Sequence, residues 1–183
     1  MPAYHSKFNE LEGTRSIGGV SILPLKALHS KGVATHADAE EKDIIDETLE
    51  YFRANMLFTQ FDIQGDADRL LIYLTAFSAE CIKKIATDKV ATKDEGVKVL
   101  HQVAISKFNL PGDTNFLPGL GHFFEKPSSK ANADFLKQYF SQSRMELAMR
   151  LSERIFNEDG TPNKWWMSYS KKNFMGQKAS KKK

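Results

Sequence analysis

The run Leu70-Leu71-Ile72-Tyr73-Leu74-Thr75-Ala76-Phe77 is apolar on nearly every side when it is wound as a helix. A surface helix shows an apolar stripe, whereas one that is apolar all round is buried. The spacing therefore places a helix, opening near Asp66 just after Gly65, at the centre of the fold. Lys83 and Lys84 stand near its end, where cations suit the negative pole of the helix dipole.

Outward from this helix the pattern stays helical. On the N-terminal side Ile45, Leu49, Phe52 and Met56 recur at spacings of three and four, which marks one buried face. Asp38 is the expected N-cap there, with Glu41 three positions on. On the C-terminal side Thr92 and Glu95 open a third helix with the stripe Val97, Leu100, Val103 and Ala104, although Gly96 weakens it. A fourth runs from about Asn132 to Phe156, with Leu136, Tyr139 or Phe140, Ser143, Leu147, Leu151 and Ile155 inward and Met145 and Met149 widening the stripe. After the turn at Asp159-Gly160, Thr161-Pro162 reads as an N-cap followed by proline at the first helical position of a fifth.

Two stretches resist this pattern. Residues 1–37 are broken by Gly13, Gly18, Gly19, Pro24 and Gly32, and the short apolar run Val20 to Leu25 is a strand or an extended segment. Residues 109–128 form a long irregular segment carrying Phe116, Leu117, Leu120, Phe123 and Phe124, which need burial in the domain or against a partner. The expected fold is all-α, about five helices with one central helix surrounded by the others. It forms a single helical domain over 1–175, followed by a basic flexible tail at 176–183.

The chain has 183 residues and 20.7 kDa, with 26 Lys and Arg against 23 Asp and Glu. The net charge of +3 hides an asymmetry. After Asp159 there are seven lysines and no acidic residue, so the first 159 residues carry 19 basic against 23 acidic groups. Hydrophobic residues at 41% and charged residues at 27% exclude wholesale disorder. Cys81 is the only cysteine, which excludes an intrachain disulfide or a multi-cysteine zinc site. The N-terminus lacks the apolar core of a signal peptide, and the longest apolar stretch, Leu70 to Leu74, falls far short of the ~20 residues of a membrane helix.

No catalytic pattern assembles. Gly119-x-Gly121 is only a fragment of a phosphate loop. His5, His29, His36, His101 and His122 lack zinc-ligand spacing. Cys81 reads as a buried structural thiol. Ser168 and Lys171 form a Ser-x-x-Lys pair of the kind that recurs by chance, and Asp43, Asp46 and Glu47 read as solvated helix-face charges. A helical enzyme would need a cleft gathering His101 or Cys81 with carboxylates. The basic end interleaves Lys164, Lys171 and Lys172 with Trp165, Trp166, Tyr169 and Phe174, a pattern that suits an acidic protein surface. It also suits a small nucleic-acid-binding module. The plainer alternative is tryptophans in the core and lysines that keep the tail soluble.

A set of segments in order along the chain narrows these options. They are Pro2-Ala3-Tyr4-His5-Ser6, Leu23-Pro24-Leu25-Lys26, Asp43-Ile44-Ile45-Asp46-Glu47, Tyr51-Phe52-Arg53-Ala54-Asn55, Ala67-Asp68-Arg69, Glu80-Cys81, Leu110-Pro111-Gly112, Arg150-Leu151, Pro162-Asn163-Lys164-Trp165-Trp166 and Phe174-Met175. Together they resemble the family of subunit 3 of the actin-related protein 2/3 complex. The resemblance implies an all-helical, non-catalytic subunit of a seven-protein assembly that nucleates branched actin filaments in the cytoplasm and cytoskeleton. It implies packing on actin-related protein 3, contact with the mother filament, and approach to actin-related protein 2 on activation. It implies no cofactor, no metal, no nucleic acid and no membrane insertion. The expected partner interface comprises Phe116, Phe123, Lys164, Lys171, Lys172 and Phe174.

Overall fold

The computed structural model describes residues 4–176, and its N-terminal quarter is more ordered than its glycines suggest. A 3₁₀ turn at Lys7–Glu10 is capped by the Ser6 hydroxyl. Two short strands follow, β1 (Ser16–Ile17) and β2 (Val20–Ser21), paired antiparallel with Ile17 opposite Val20. Gly18 and Gly19 both have positive φ, as a two-residue hairpin turn requires. The Gly18 carbonyl accepts the Glu125 N–H at 3.0 Å, which ties this hairpin to the irregular 109–128 segment. The chain is therefore mostly helical rather than purely all-α, because this turn lets two extended pairs close. Of the apolar run Val20 to Leu25 only Val20–Ser21 is strand, and Leu25 makes an isolated bridge to His36.

Helix α1 (Ile44–Asn55) opens later than expected. Asp38 caps only a turn, accepting from the Glu40 N–H, while the Ala37 N–H is still committed to the Leu25 carbonyl at 3.0 Å. The true N-cap is Asp43, in a reciprocal capping box with Asp46. Helix α2 (Asp66–Thr87) carries the opening apolar run. From Ala67 to Ala79 only Arg69 and Ala76 escape full burial. Its surface meets α1 and β2 as well as the later helices α3 (Lys93–Ile105), α4 (Lys130–Ile155) and α5 (Lys164–Met167).

Helix α3 (Lys93–Ile105) is capped by Thr92, but the Glu95 carboxylate accepts from Ala91 rather than from the cap residue itself. Gly96, a weak point in the pattern, is required by packing. A Cβ there would enter the Phe156 ring. Helix α4 (Lys130–Ile155) starts slightly earlier than expected because the Ser129 hydroxyl takes the Asn132 N–H. Its predicted stripe is buried, from Leu136 through Tyr139, Phe140, Leu147 and Leu151 to Ile155. Helix α5 (Lys164–Met167) is a single turn continued by a 3₁₀ turn at Ser168–Lys171.

The buried apolar residues form one cluster that runs from Ile17 to Phe174. Tyr73 of α2 stacks on Phe140 of α4 with ring centroids 3.9 Å apart. Such a pair contributes about 0.5–1.5 kcal/mol beyond its area burial. Of the tail expected at 176–183, all but Gly176 lies outside the described residues.

Candidate partner interface

The basic C-terminal corner is built by a tight loop at the end of α4. Asp159 accepts from both the N–H and the hydroxyl of Thr161, which holds its carboxyl below the usual range, and Gly160 takes positive φ. The Asn157 N–H donates to the Thr161 carbonyl and the Asn163 N–H to the Ile155 carbonyl, both at 2.8 Å. Pro162 is thereby bridged to Phe156 in extended chain, not in a helix. The N-cap is consequently Asn163, whose side chain accepts from Trp165 and Trp166, and not Thr161, whose hydroxyl is already engaged.

The two adjacent tryptophans go opposite ways, because neighbours on a helix point about 100° apart. Trp166 is buried, stacked on Phe52 at 5.5 Å, with the Arg53 guanidinium 4.8 Å from its ring centroid. Tyr169 meets the same Phe52 edge-on. Trp165 is 75% exposed. Lys164, Lys171 and Lys172 are exposed as well.

The aromatic residues expected at an interface fare differently. Phe116 is buried, stacked along Tyr73 and edge-on to Phe124. Phe174 is buried in the same core. Both rings are spent inside the chain, where each stabilises the fold by leaving water, so neither is available as an exposed contact. Phe123 is half-buried, and its carbonyl accepts from Arg69 Nε at 2.6 Å. The 109–128 segment is thus pinned by its own rings and by Arg69.

Asp43, Asp46 and Glu47 prove to be neither solvated face charges nor an acid–base pair. Arg150 of α4 reaches Asp43 at 2.7 and 2.9 Å, Asp46 at 3.3 Å and Glu146 at 3.2 Å, and donates to the Lys26 carbonyl at 2.5 Å. Asp43 also takes the Lys26 N–H, and Glu146 takes the His29 N–H and the Ser30 hydroxyl. Gln142 accepts the Ala34 N–H. Burial opposes ionisation of Asp46, but the Lys26 ammonium, the Asp43 N–H and Arg150 outweigh it and lower its pKa. A second cluster holds residues His5 to Lys7. Asp68 accepts from Ser6 and Gln64 and pairs with His5, while Glu47 takes the Ser6 hydroxyl and the Lys7 N–H. Burial raises the Glu47 pKa, with Asp68 adding to it.

These carboxylates spend their lone pairs on backbone N–H groups, hydroxyls, Lys26 and Arg150, so they bind the N-terminal segment from His5 to Ser30 rather than a substrate. A sequence signal for them exists. Glu146 and Arg150 sit four apart beside Leu147 and Leu151, on the inward stripe where a charge needs a partner. Arg144, equally buried, lies over Phe77 and Phe108 and donates to the carbonyls of Val103 and Ala104.

The other candidates are scattered. Cys81 is fully buried, and burial pushes its thiol well above the ordinary range. His29, His36, His101 and His122 are exposed and His5 is committed to Asp68. Among the described residues no group of three or more His, Cys, Asp or Glu is placed to hold a metal ion, and no helix is long and apolar enough to cross a membrane. A groove of about 580 Å³ between α2 and α3, lined by Glu80, Lys83, Val99 and Gln102 among others, includes neither His101 nor Cys81.

Residues 1–179 match the family model described as P21-Arc: ARP2/3 complex ARPC3 (21 kDa) subunit. The chain belongs to this family. It is 45% identical over 174 residues to Actin-related protein 2/3 complex subunit 3 of Dictyostelium discoideum, covering 94% of this chain and 97% of that one. It is 39% identical over 173 residues to the protein of that name in Arabidopsis thaliana, covering 94% and 96%. With the Saccharomyces cerevisiae protein of that name it shares 40% over 181 residues, covering 96% and 98%. The nucleic-acid-binding module finds no support in these comparisons. Several segments that carry the P21-Arc resemblance are joints of the structure. His5-Ser6 docks on Asp68 and Glu47, Asp43 to Glu47 receives Arg150, and Pro162 to Trp166 turns the C-terminal corner.

Proposed function

We propose that the chain is a non-catalytic structural subunit of the actin-related protein 2/3 complex, and that it supports nucleation of branched actin filaments through contacts with actin-related protein 3 and the mother filament. The observation that carries this is the exposed basic corner Lys164, Lys171 and Lys172, mounted on a fixed turn in a chain whose family match spans nearly its whole length. These lysines face acidic surfaces of actin or an actin-related protein, including actin-related protein 2 in the activated state. Phe123, half-buried at the rim of the 109–128 segment, is a further contact. The remaining partners are the other subunits of the complex, and the setting is the cytoplasm and cytoskeleton where branches assemble.

In this role residues 1–175 act as a single domain with α2 as the central helix. The burial of α2 and its contacts with all four other helices support that arrangement. No cofactor is required, and Phe116 and Phe174 serve the domain's interior.

The test replaces Lys164, Lys171 and Lys172 together by glutamate in the assembled complex. Branch density under total-internal-reflection microscopy and filament co-sedimentation are both expected to fall several-fold. Unchanged branching and unchanged filament binding would remove these lysines from the interface.

A further inference from the structure

Trp165 is the most exposed large apolar side chain among the described residues, at 75%, ahead of Leu57 at 60% and Leu28 at 59%. It is also held rigidly. Its N–H donates to the Asn163 side chain at 2.9 Å, and its carbonyl accepts the Ser168 hydroxyl at 2.7 Å. Next to it, Trp166 is locked between Phe52 and Arg53. The fold therefore uses one tryptophan as a root and presents the other to solvent on a turn that cannot swing away.

A bare tryptophan on a fixed turn exposes a large apolar face whenever it is uncovered, and it loses little freedom when it is covered. Both properties mark an interface anchor. Charge sets the partner's chemistry. Lys164 adjoins Trp165, Lys171 and Lys172 follow on the next turn, and no aspartate or glutamate follows Asp159 in the sequence. A pocket that takes the indole must be apolar within and acidic at its rim to complement these three ammonium groups.

We propose that Trp165 seats in an apolar pocket with a carboxylate rim on another protein subunit of the same assembly, and that it stays seated whether or not a filament is bound. The proposal rests on the reading that the chain works inside the complex, and it adds an anchor that is apolar and constitutive. The lysines steer and set register, whereas the indole holds.

Hydroxyl-radical footprinting of the intact complex, read by mass spectrometry at the two tryptophans, tests this without isolating the chain. Within the chain alone, their exposures of 75% and 6% differ more than tenfold. In the filament-free complex, Trp165 is expected to be modified no more than about twofold faster than Trp166, as both would then be buried. Modification of Trp165 tenfold or more faster than Trp166 would overturn the proposal, and so would protection that appears only after filaments are added. In a second arm, Trp165→Ala should weaken retention of this subunit about 30-fold or more, the loss expected for an interface hot spot. That loss should persist at high salt because the contact is apolar, and Trp165→Phe should recover part of it. Retention unchanged in the alanine variant would also overturn the proposal. The lysine-to-glutamate triple variant separates the two ideas. Here Trp165 is read in the unsubstituted complex and branching in the variant. If the variant branches normally while Trp165 is protected, the lysine assignment and the carboxylate rim fall and the apolar anchor stands. If the variant branches poorly while Trp165 of the unsubstituted complex is oxidised freely, the anchor falls and the lysine assignment stands.

Discussion

The chain enters and leaves the helical core by two irregular segments, residues 4–37 and 156–176, and they are fastened by opposite means. The N-terminal arm is held by charge drawn inward. Asp43, Glu47, Asp68, Gln142, Glu146 and Arg150 reach out from α1, α2 and α4 and bond its backbone at Ser6, Lys7, Lys26, His29 and Ala34. The C-terminal corner is held by aromatic faces drawn inward, Trp166 and Tyr169 on Phe52, and Phe174 is buried in the core as well. The groups that fix the arm are buried, and what the arm leaves exposed is charge of both signs, Glu10, Glu12, Arg15 and Lys31 among it. A corner fixed by rings keeps its lysines and one tryptophan outside. The contrast explains why the interface is expected at the C-terminal end.

Arg150→Met strikes the arm hardest. It leaves Asp43 and Glu146 buried with their countercharge gone, and breaking a buried pair from one side costs about 3–5 kcal/mol. Urea unfolding of the full chain should show a loss of that size. Amide exchange should speed up at Lys26, His29 and Ala34 and stay unchanged at Asn163 and Trp166. Equal deprotection at both ends would erase the distinction between the two fastenings.

A smaller effect probes the corner. Asn163→Ala removes the side chain that caps α5 and should cost about 1 kcal/mol in the same unfolding experiment. Thr161→Ala should cost less, because that hydroxyl bonds only Asp159 and Asn157 in an exposed loop. A larger loss at Thr161 than at Asn163 would restore the N-cap suggested by the Thr-Pro pair.

The smallest effect is a dependence on pH. Glu47 has a raised pKa, so its ionised form is the one the fold disfavours. The penalty is absent below the ordinary carboxylate range near 4 and grows as pH rises through the raised value. Glu47→Gln should therefore be more stable than the parent at neutral pH, with the gap closing on acidification. Asp46 has a lowered pKa, so its contribution is present above the ordinary range and is lost as pH falls through the lowered value. Asp46→Asn should be less stable at neutral pH, with the gap closing on acidification from the opposite side. Thermal melts of the two variants between neutral pH and pH 3 would measure both, and differences of the same sign would contradict the opposed environments.

Local chemistry made much of this legible. The α2 run, the Thr92 cap and the stripe of α4 depend on residues within a few positions of one another, and each stands where its spacing implied. Helix starts were harder. Asp38 and Asp43 are both plausible caps, and the first closes only a single turn, the Glu41 N–H on its carbonyl at 3.2 Å, before the helix opens at the second. The same limit applies to Thr161 and Asn163.

The sequence by itself determined a helical chain with one run apolar on every side, a stretch after Asp159 with lysines and no acidic side chain, and segments specific enough to mark the family. Only the tertiary structure decided which polar residues are interior and which aromatic residues are exterior. Arg150 meets Asp43 across 107 positions, and Phe52 takes Trp166 while Trp165 is left in water. Spacing along the chain carries information about a residue's near neighbours, because hydrogen-bond geometry repeats every few residues. Whether a charge is paired or an indole covered depends on what arrives from a distant segment, and no local period records that.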